Sequence, residues 1–128
     1  MRTLVESPSW NRNNLSLVLL LLSLVQLCAC AEKKEPIGVV TTTNYCKGII
    51  TASNIKVKPG YIALSRDLEK KHKLKFGDLI YLDNESEPYV FMDRMPLQWK
   101  RHADVYSRKC KDAKEYGVQK RMLWFVRK

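Results

Sequence analysis

The chain has 128 residues, of which 45% are hydrophobic, which is enough for one globular domain and too little for two. Its formal net charge of +10 favours an anionic partner. Much of the excess lies in residues 94–128, which carry eleven Lys or Arg side chains against three acidic ones. On charge alone, a basic face that only keeps the protein in solution is an equally good interpretation.

The first clear pattern along the chain is an uncharged apolar run of 13 residues, Leu15–Leu27, which follows Arg2 and Arg12. A helix needs about 20 residues to span a bilayer, whereas the apolar part of a secretory signal has about this length. Residues 1–30 are therefore predicted to be a signal peptide that does not belong to the fold.

The end of this segment allows two interpretations. Leu27-Cys28-Ala29-Cys30 resembles the lipobox of bacterial lipoproteins, in which the cysteine is acylated and becomes the first residue of the mature chain. Acyl chains anchor a protein to a membrane by about 0.8 kcal/mol per buried methylene. Ala29 and Ala31 also form a small-x-small site for ordinary signal cleavage, which would give a secreted protein. Lipidation of Cys30 is the preferred interpretation.

Residues 31–38 are charged and contain a proline, and they are predicted to be a tether. Residues 39–128 contain short runs rich in β-branched and aromatic residues, with turn residues between them. The predicted strands are Val39–Thr43, Ile49–Ala52, Tyr61–Leu64, Asp78–Leu82, Tyr89–Met92, Ala103–Tyr106 and Leu123–Val126. Many brief strands separated by turns favour a small closed β-barrel over a parallel α/β sheet.

One helix is predicted over residues 108–116. Ser107 is its expected N-cap, and Gly117 is expected to end it in the left-handed conformation. The residues expected to face the barrel recur at a spacing of three: Cys110, Ala113 and Tyr116. Residues 65–73 are predicted to form a second, short helical turn.

Outside the signal region the cysteines are Cys46 and Cys110. In an exported chain such a pair is more often a disulfide than a metal site. Closing the loop between them would contribute up to about 4 kcal/mol in the chain-entropy model. His72 and His102 stand in no ligand spacing typical of zinc, so neither a metal nor a cofactor is predicted.

The order of several fragments is similar to that of a bacterial module. The fragments are TASNIKVKPGYIAL (Thr51–Leu64), LKFGDLIYL (Leu74–Leu82), VFMDRMP (Val90–Pro96), HADVY (His102–Tyr106) and DAKEYGV (Asp112–Val118). Together they resemble the three-aspartate (3D) domain, a double-psi β-barrel that also occurs in membrane-bound lytic transglycosylase A. The DRMP piece is also similar to the related barrel of rare lipoprotein A. The resemblance covers about residues 39–128 and implies a mainly β fold, a small six-stranded double-psi β-barrel with the one short helix packed on it.

Two aspartates of this chain stand at positions where the family also has aspartates. Asp93 falls where the family has the aspartate that opens its Asp-Thr-Gly-like segment, and Asp104 where it has the aspartate before a hydrophobic and an aromatic residue. The third family aspartate is replaced by Ser65, and residues 94–96 stand where the family has a glycine pair. The resemblance implies a peptidoglycan lytic transglycosylase with Asp93 and Asp104 as its catalytic residues.

Cleavage of a glycosidic bond needs an acid that protonates the leaving oxygen. A lytic transglycosylase, as the family implies, can use one acid, which then helps the 6-hydroxyl of the sugar to close onto the anomeric carbon. This acid must keep its proton near neutral pH, so burial or a second carboxylate must raise its pKa above about 3.9.

The neighbouring cations Arg94, Lys100 and Arg101 favour a different interpretation, because a close cation lowers the pKa of an aspartate. Both acids would then be ionised and would brace the loops by accepting backbone hydrogen bonds. The catalytic role is preferred for Asp93, and the two roles are equally good for Asp104.

Four residues near the acids are predicted to bind substrate. Trp99 and Tyr106 offer rings that stack on sugars, and Lys100 and Arg101 offer cations for the lactyl or peptide carboxylates of peptidoglycan. The predicted protein is a monomeric envelope lipoprotein that binds or cleaves glycan strands and faces the periplasm. Because an exported protein does not meet the nucleic acids of the cytosol, nucleic acid is not expected as a partner. The alternative is a non-catalytic glycan-binding or structural module.

The lipobox resemblance also bears on location. The usual signal for retention in the inner membrane is an aspartate after the acylated cysteine, and Ala31 stands there in this chain. The outer membrane is therefore preferred over the inner one, with secretion as the alternative.

Overall fold

This computed structural model describes residues 14, 16–20 and 32–128. Residues 14 and 16–20 are helical, and the rest of the predicted signal peptide, including Cys30, lies outside the described residues. Lys33–Lys128 forms a compact unit. Within the described ranges, no helix combines the length and the apolar character needed to cross a membrane.

The unit Lys33–Lys128 consists of six strands and two short helices. The strands are β1 (Glu35–Tyr45), β2 (Tyr61–Leu64), β3 (Leu79–Leu82), β4 (Tyr89–Arg94), β5 (His102–Tyr106) and β6 (Gln119–Val126), and the helices are α1 (Arg66–His72) and α2 (Cys110–Tyr116). The strands pair in the closed order β1-β5-β2-β4-β3-β6. The prediction of a mainly β domain with six strands is confirmed.

The predicted tether is in part a strand, because β1 begins at Glu35. Glu35 and Pro36 pair with β6, and Ile37 is buried in the core with 6% of its surface exposed. The pairing shifts register between Pro36 and Gly38, and Gly38 has a φ of 114°. A β-bulge at glycine thus lets the strand continue through a sequence that is typical of a loop.

Two further local predictions were wrong. The stretch Ile49–Ala52 is not a strand, since its pairing is a single bridge between Ile50 and Lys56 and both isoleucines are exposed. Ser107 does not cap α2, whose N-cap is Lys109. Ser107 is held by β1 instead, because its amide donates to the Tyr45 carbonyl at 2.8 Å and its hydroxyl accepts from Asn44 at 2.9 Å.

The core lies inside the closed sheet, where alternate residues of each strand point inward. Ile62, Leu64, Ile80, Leu82 and Phe91 are fully buried there. Burial of one such side chain contributes about 1.5–3 kcal/mol, so the core fixes the strands against each other. The buried core therefore holds β2, β4 and β5 in fixed positions, and with them the side chains on the outer face of these strands.

Helix α2 is tied to the end of β1 by a covalent and a polar contact. Cys46 and Cys110 form the expected disulfide, with Cα atoms 5.0 Å apart. The Tyr116 hydroxyl lies 2.8 Å from the Thr42 hydroxyl. Gly117 ends the helix, as predicted, with a positive φ of 64°, but its ψ of −136° differs from that of the predicted left-handed helical conformation. The helix therefore packs on the barrel by the predicted stripe, although none of its residues is fully buried.

Candidate functional site

A row of four residues crosses four adjacent strands. Ala63 on β2 pairs with Asp93 on β4 and with Asp104 on β5, and Asp104 pairs in turn with Thr43 on β1. Paired residues point to the same face of a sheet. Neighbouring strands lie about 4.8 Å apart, so the backbones of the two aspartates are about 10 Å apart with the Ala63 methyl group between them. The topology thus brings both predicted acids to one face.

Both aspartates line a hollow of about 280 Å³, which we call the acid hollow. Its wall also contains Thr43, Tyr45, Lys47, Ala63, Arg94, Met95, Pro96, Trp99 and His102. Because Ala63 carries only a methyl group, the space between the two acids stays open. The hollow can accept a ligand group that contacts both carboxyl groups.

Asp93 is held by three hydrogen bonds. Its Oδ1 accepts from the backbone amides of Ala52 at 2.7 Å and Arg94 at 2.8 Å, and its Oδ2 accepts from the Tyr45 hydroxyl at 3.3 Å. Acceptance of backbone amides is typical of a carboxylate that braces a loop. Asp93 therefore fixes the segment around Ala52 against the end of β4.

Asp104 has a different environment. It is half-buried, and the Thr43 hydroxyl donates to its Oδ1 at 3.0 Å. Burial raises the pKa of Asp104, the bond from Thr43 opposes this, and the charge of Asp93 raises it further, so that the pKa lies above its ordinary value. Asp104 is thus the better candidate for an acid that keeps its proton, whereas the sequence favoured Asp93.

Tyr45 links the two acids electrostatically. Burial raises the pKa of Tyr45, and the charges of Asp93 and Asp104 raise it further. Its ring also meets Tyr106 edge to face, with centroids 5.3 Å apart. The phenol therefore keeps its proton and serves as a hydrogen-bond donor in the hollow.

The cations close to the acids in sequence point elsewhere. The Arg94 guanidinium binds both oxygens of Glu69 at 2.7 Å and lies over the Phe76 ring. The Arg101 guanidinium donates to the Val39 carbonyl at 2.7 Å. Neither guanidinium forms an ion pair with Asp93 or Asp104, so these two cations do not offset the effect of burial, which raises the pKa of Asp104.

His102 and Trp99 form the remaining wall beside Asp104. The His102 ring nitrogen Nε2 lies 2.8 Å from the Thr43 hydroxyl, and the Trp99 ring meets the imidazole at 4.7 Å in an edge arrangement. Burial lowers the pKa of His102, and the charge of Lys120 lowers it further. His102 is therefore held neutral, and it positions the hydroxyl that donates to Asp104.

The structure brings one of the four predicted binding residues to the acids. Trp99 lines the acid hollow and exposes 44% of its surface. Lys100 lines a separate hollow beside α1, and Tyr106 lines a third near Lys58. Arg101 does not line the acid hollow, and its guanidinium donates to the Val39 carbonyl of β1.

Three residues that the sequence did not single out complete the site: Thr43, Tyr45 and Ala63. The alternation Thr41-Thr42-Thr43-Asn44-Tyr45 in a strand would place Thr43 and Tyr45 on one face. Sequence alone does not show which strand they meet. Among residues 32–128, no group of three or more His, Cys, Asp or Glu side chains is arranged to hold a metal ion.

No protein-family model matches the chain, and a comparison with characterised proteins also gives no match.

Proposed function

We propose that residues 33–128 form a double-psi β-barrel of the 3D-domain type and act on peptidoglycan as a lytic transglycosylase with Asp104 as the acid. The closed six-strand order, with parallel pairs β1–β5 and β2–β4 among antiparallel ones, supports this fold. The raised pKa of Asp104 in an open hollow beside Asp93 carries the functional proposal.

In the proposed reaction Asp104 donates its proton to the glycosidic oxygen, and the bond to the anomeric carbon breaks. The resulting Asp104 carboxylate then takes the proton of the sugar's 6-hydroxyl while that oxygen bonds to the anomeric carbon. The products are a free hydroxyl end and a 1,6-anhydro end, and Asp104 regains its proton. Water is not consumed.

Asp93 and Trp99 have supporting roles in this reaction. The negative charge of Asp93 favours the protonated form of Asp104 and stabilises the positive charge that develops at the anomeric carbon. The exposed Trp99 ring provides a surface on which a sugar ring stacks. The Tyr45 hydroxyl holds Asp93 in position for both effects.

The proposed setting is the bacterial cell envelope. The disulfide between Cys46 and Cys110 supports an oxidising compartment. A monomer acylated at Cys30 and facing the periplasm, preferably from the outer membrane, would meet the glycan strands at the membrane surface. Secretion without an anchor remains the alternative location.

A non-catalytic glycan-binding module is the second candidate. The hydrogen bonds of Asp93 favour it, because a carboxylate with three donors is already used for the loop around Ala52. In this case the hollow would hold a sugar without protonating its glycosidic bond.

Incubation of the purified protein with peptidoglycan sacculi separates the two candidates. Mass spectrometry of the soluble products detects 1,6-anhydro ends, and co-sedimentation measures binding. If the protein is a lytic transglycosylase, the wild-type protein produces these ends. The Asp104→Asn variant should then produce none, although it still sediments with the sacculi. The matched change Asp112→Asn on the exposed side of α2 should leave product formation intact. Binding by the wild-type protein without new ends would establish the second candidate.

A further inference from the structure

Two adjacent isoleucines are exposed in the loop that joins β1 to β2. Ile49 exposes 74% of its surface and Ile50 exposes 59%. A single exposed apolar side chain is ordinary on a protein surface, whereas an adjacent pair in one loop is a candidate contact with an apolar partner. We call residues 46–60, which contain this pair, the isoleucine loop.

The backbone of the isoleucine loop is held in place. The Val57 amide donates to the Ile49 carbonyl at 3.0 Å, and the Thr51 amide donates to the Ile55 carbonyl at 2.9 Å. At the start of the loop, the disulfide of Cys46 joins it to α2. Because these contacts order the loop in the free protein, little conformational entropy is lost when a partner covers the two isoleucines.

All charged residues of the isoleucine loop are cations. Lys47, Lys56 and Lys58 are exposed, and the loop contains no acidic residue. Ile50 forms an antiparallel bridge with Lys56, so these two side chains point to the same side. Arg108 lies beside Lys56 and Lys58 in the wall of one hollow. The ion pairs formed within residues 32–128 involve other side chains, so these cations are available to a partner.

Apolar side chains surrounded by cations fit the surface of an anionic bilayer. The apolar groups enter the boundary between headgroups and acyl chains, and the cations bind the lipid phosphates above them. A protein partner fits less well, because a stable protein interface covers about 800 Å² on each side, more than two side chains provide. A second copy of this chain would bring the same positive charge, which repels.

We propose that the isoleucine loop docks the protein on an anionic membrane surface, with Ile49 and Ile50 inserted and the three lysines at the lipid phosphates. The loop also contacts the acid hollow, since the Ala52 amide donates to Asp93 at 2.7 Å and Lys47 lies in the hollow's wall. Ala52 follows Ile50 by two residues, at most about 7 Å along the chain. Docking therefore holds the acid hollow close to the bilayer, and it does not require that the hollow cleaves glycan.

Vesicle co-sedimentation of residues 33–128 tests this contact. The six strands, the buried core and the disulfide lie within this unit, so it folds without the preceding segment. Omission of Leu15–Leu27 removes a second apolar segment that would bind lipid by itself. The probes are vesicles of phosphatidylcholine alone and vesicles in which about one quarter of it is replaced by anionic phosphatidylglycerol. We expect binding to the anionic vesicles to be at least tenfold stronger and to weaken with salt.

A pair of serine substitutions tests the apolar contact. Ile49→Ser with Ile50→Ser should weaken binding to the anionic vesicles at least tenfold, because both apolar groups are lost. Ile49→Leu with Ile50→Leu keeps the apolar area and should bind within about twofold of the wild type. The matched control is Val39→Ser with Val118→Ser, since these valines expose 53% and 73% of their surface outside the loop. It should change binding less than about twofold.

Three glutamine substitutions test the charge of the isoleucine loop: Lys47→Gln, Lys56→Gln and Lys58→Gln. One cation at an anionic membrane contributes roughly fivefold, so the triple variant should bind at least tenfold more weakly.

The matched control for charge replaces exposed lysines at the start of β1 and the end of β6: Lys33→Gln, Lys34→Gln and Lys128→Gln. The 11 residues of β1 place its start about 30 Å from the loop at its end, well beyond the screening length of about 10 Å. This control should therefore change binding less than about threefold.

Three results would overturn the docking. The first is equal binding to neutral and anionic vesicles, or no binding to either. The second is binding that depends on the lysines of the loop but not on its isoleucines, which would show adsorption by charge alone. The third is a dimer, detected by sedimentation without lipid and lost in the serine pair, which would assign the isoleucines to a second copy of the chain.

Discussion

Removal of the Asp93 side chain tests how much this acid contributes to the fold. Asp93→Ala deletes the acceptor of two backbone amides and of the Tyr45 hydroxyl. A shielded hydrogen bond to a charged group contributes about 1.5–3 kcal/mol, and less where water replaces it. Since the Ala52 amide is exposed and the Tyr45 contact is long, we expect a total loss of about 3 kcal/mol in the free energy of unfolding.

Asp93→Asn is the matched variant. Its side-chain oxygen still accepts both amides, so the expected loss is about 1 kcal/mol. Urea unfolding followed by tryptophan fluorescence measures both values, and Asp112→Ala on the exposed side of α2 controls for the loss of a carboxylate, with a change within about 0.5 kcal/mol. Equal losses for Asp93→Ala and Asp93→Asn would refute the bracing role, as would a loss below about 1 kcal/mol for the alanine variant.

Three further changes test other parts of the structure. The pKa of His102 is lowered in the fold, so below the ordinary pKa of about 6.5 the unfolded chain binds more protons than the folded one. Lowering the pH through this range should therefore decrease the stability, by up to about 1.4 kcal/mol per pH unit. Urea unfolding of His102→Gln across this range should show a flatter dependence. Arg121→Met removes the ion pairs with Asp83 and Glu85, and thermal unfolding should report a loss of about 1–2 kcal/mol. Replacing both disulfide cysteines with alanine should lower the unfolding free energy by about 2–4 kcal/mol, measured by urea unfolding.

Each of these three predictions would be contradicted by a specific result. Unchanged pH dependence in His102→Gln would show that another group titrates. A change below about 0.5 kcal/mol in Arg121→Met would show that solvent screens these pairs fully. Equal stability of the reduced and oxidised wild-type protein would contradict a stabilising role of the disulfide.

The strand pattern was predictable where side chains alternate between the core and the surface. Tyr61–Leu64 was predicted with the bounds that the structure shows. The start of β1 was missed because Pro36 and Gly38, which flank the bulge, are residues typical of a loop. The isoleucines at 49 and 50 have the local sequence of a strand, but the structure pairs this stretch by a single bridge. Local sequence does not show whether a neighbouring strand is available for pairing.

The sequence predicted the two acids of the site, but it did not predict the groups that surround them. The resemblance pointed to Asp93 and Asp104, but their separation by Ala63 depends on two pairings of β2 with distant segments. Sequence proximity also suggested that Arg94 would pair with an acid of the hollow, but its guanidinium binds Glu69, a residue far away in the chain. The contact from Thr43 depends on the parallel pairing of β1 with β5, which no local pattern indicates.

The proposed cleavage depends most on the proton of Asp104, and NMR titration of its side-chain carboxyl carbon measures the pKa of that group directly. We predict a midpoint above the ordinary value of about 3.9, because burial and the charge of Asp93 both favour the protonated form. The midpoint should fall in Asp93→Asn, which removes that charge. A wild-type midpoint at or below the ordinary value would contradict the assignment of Asp104 as the acid.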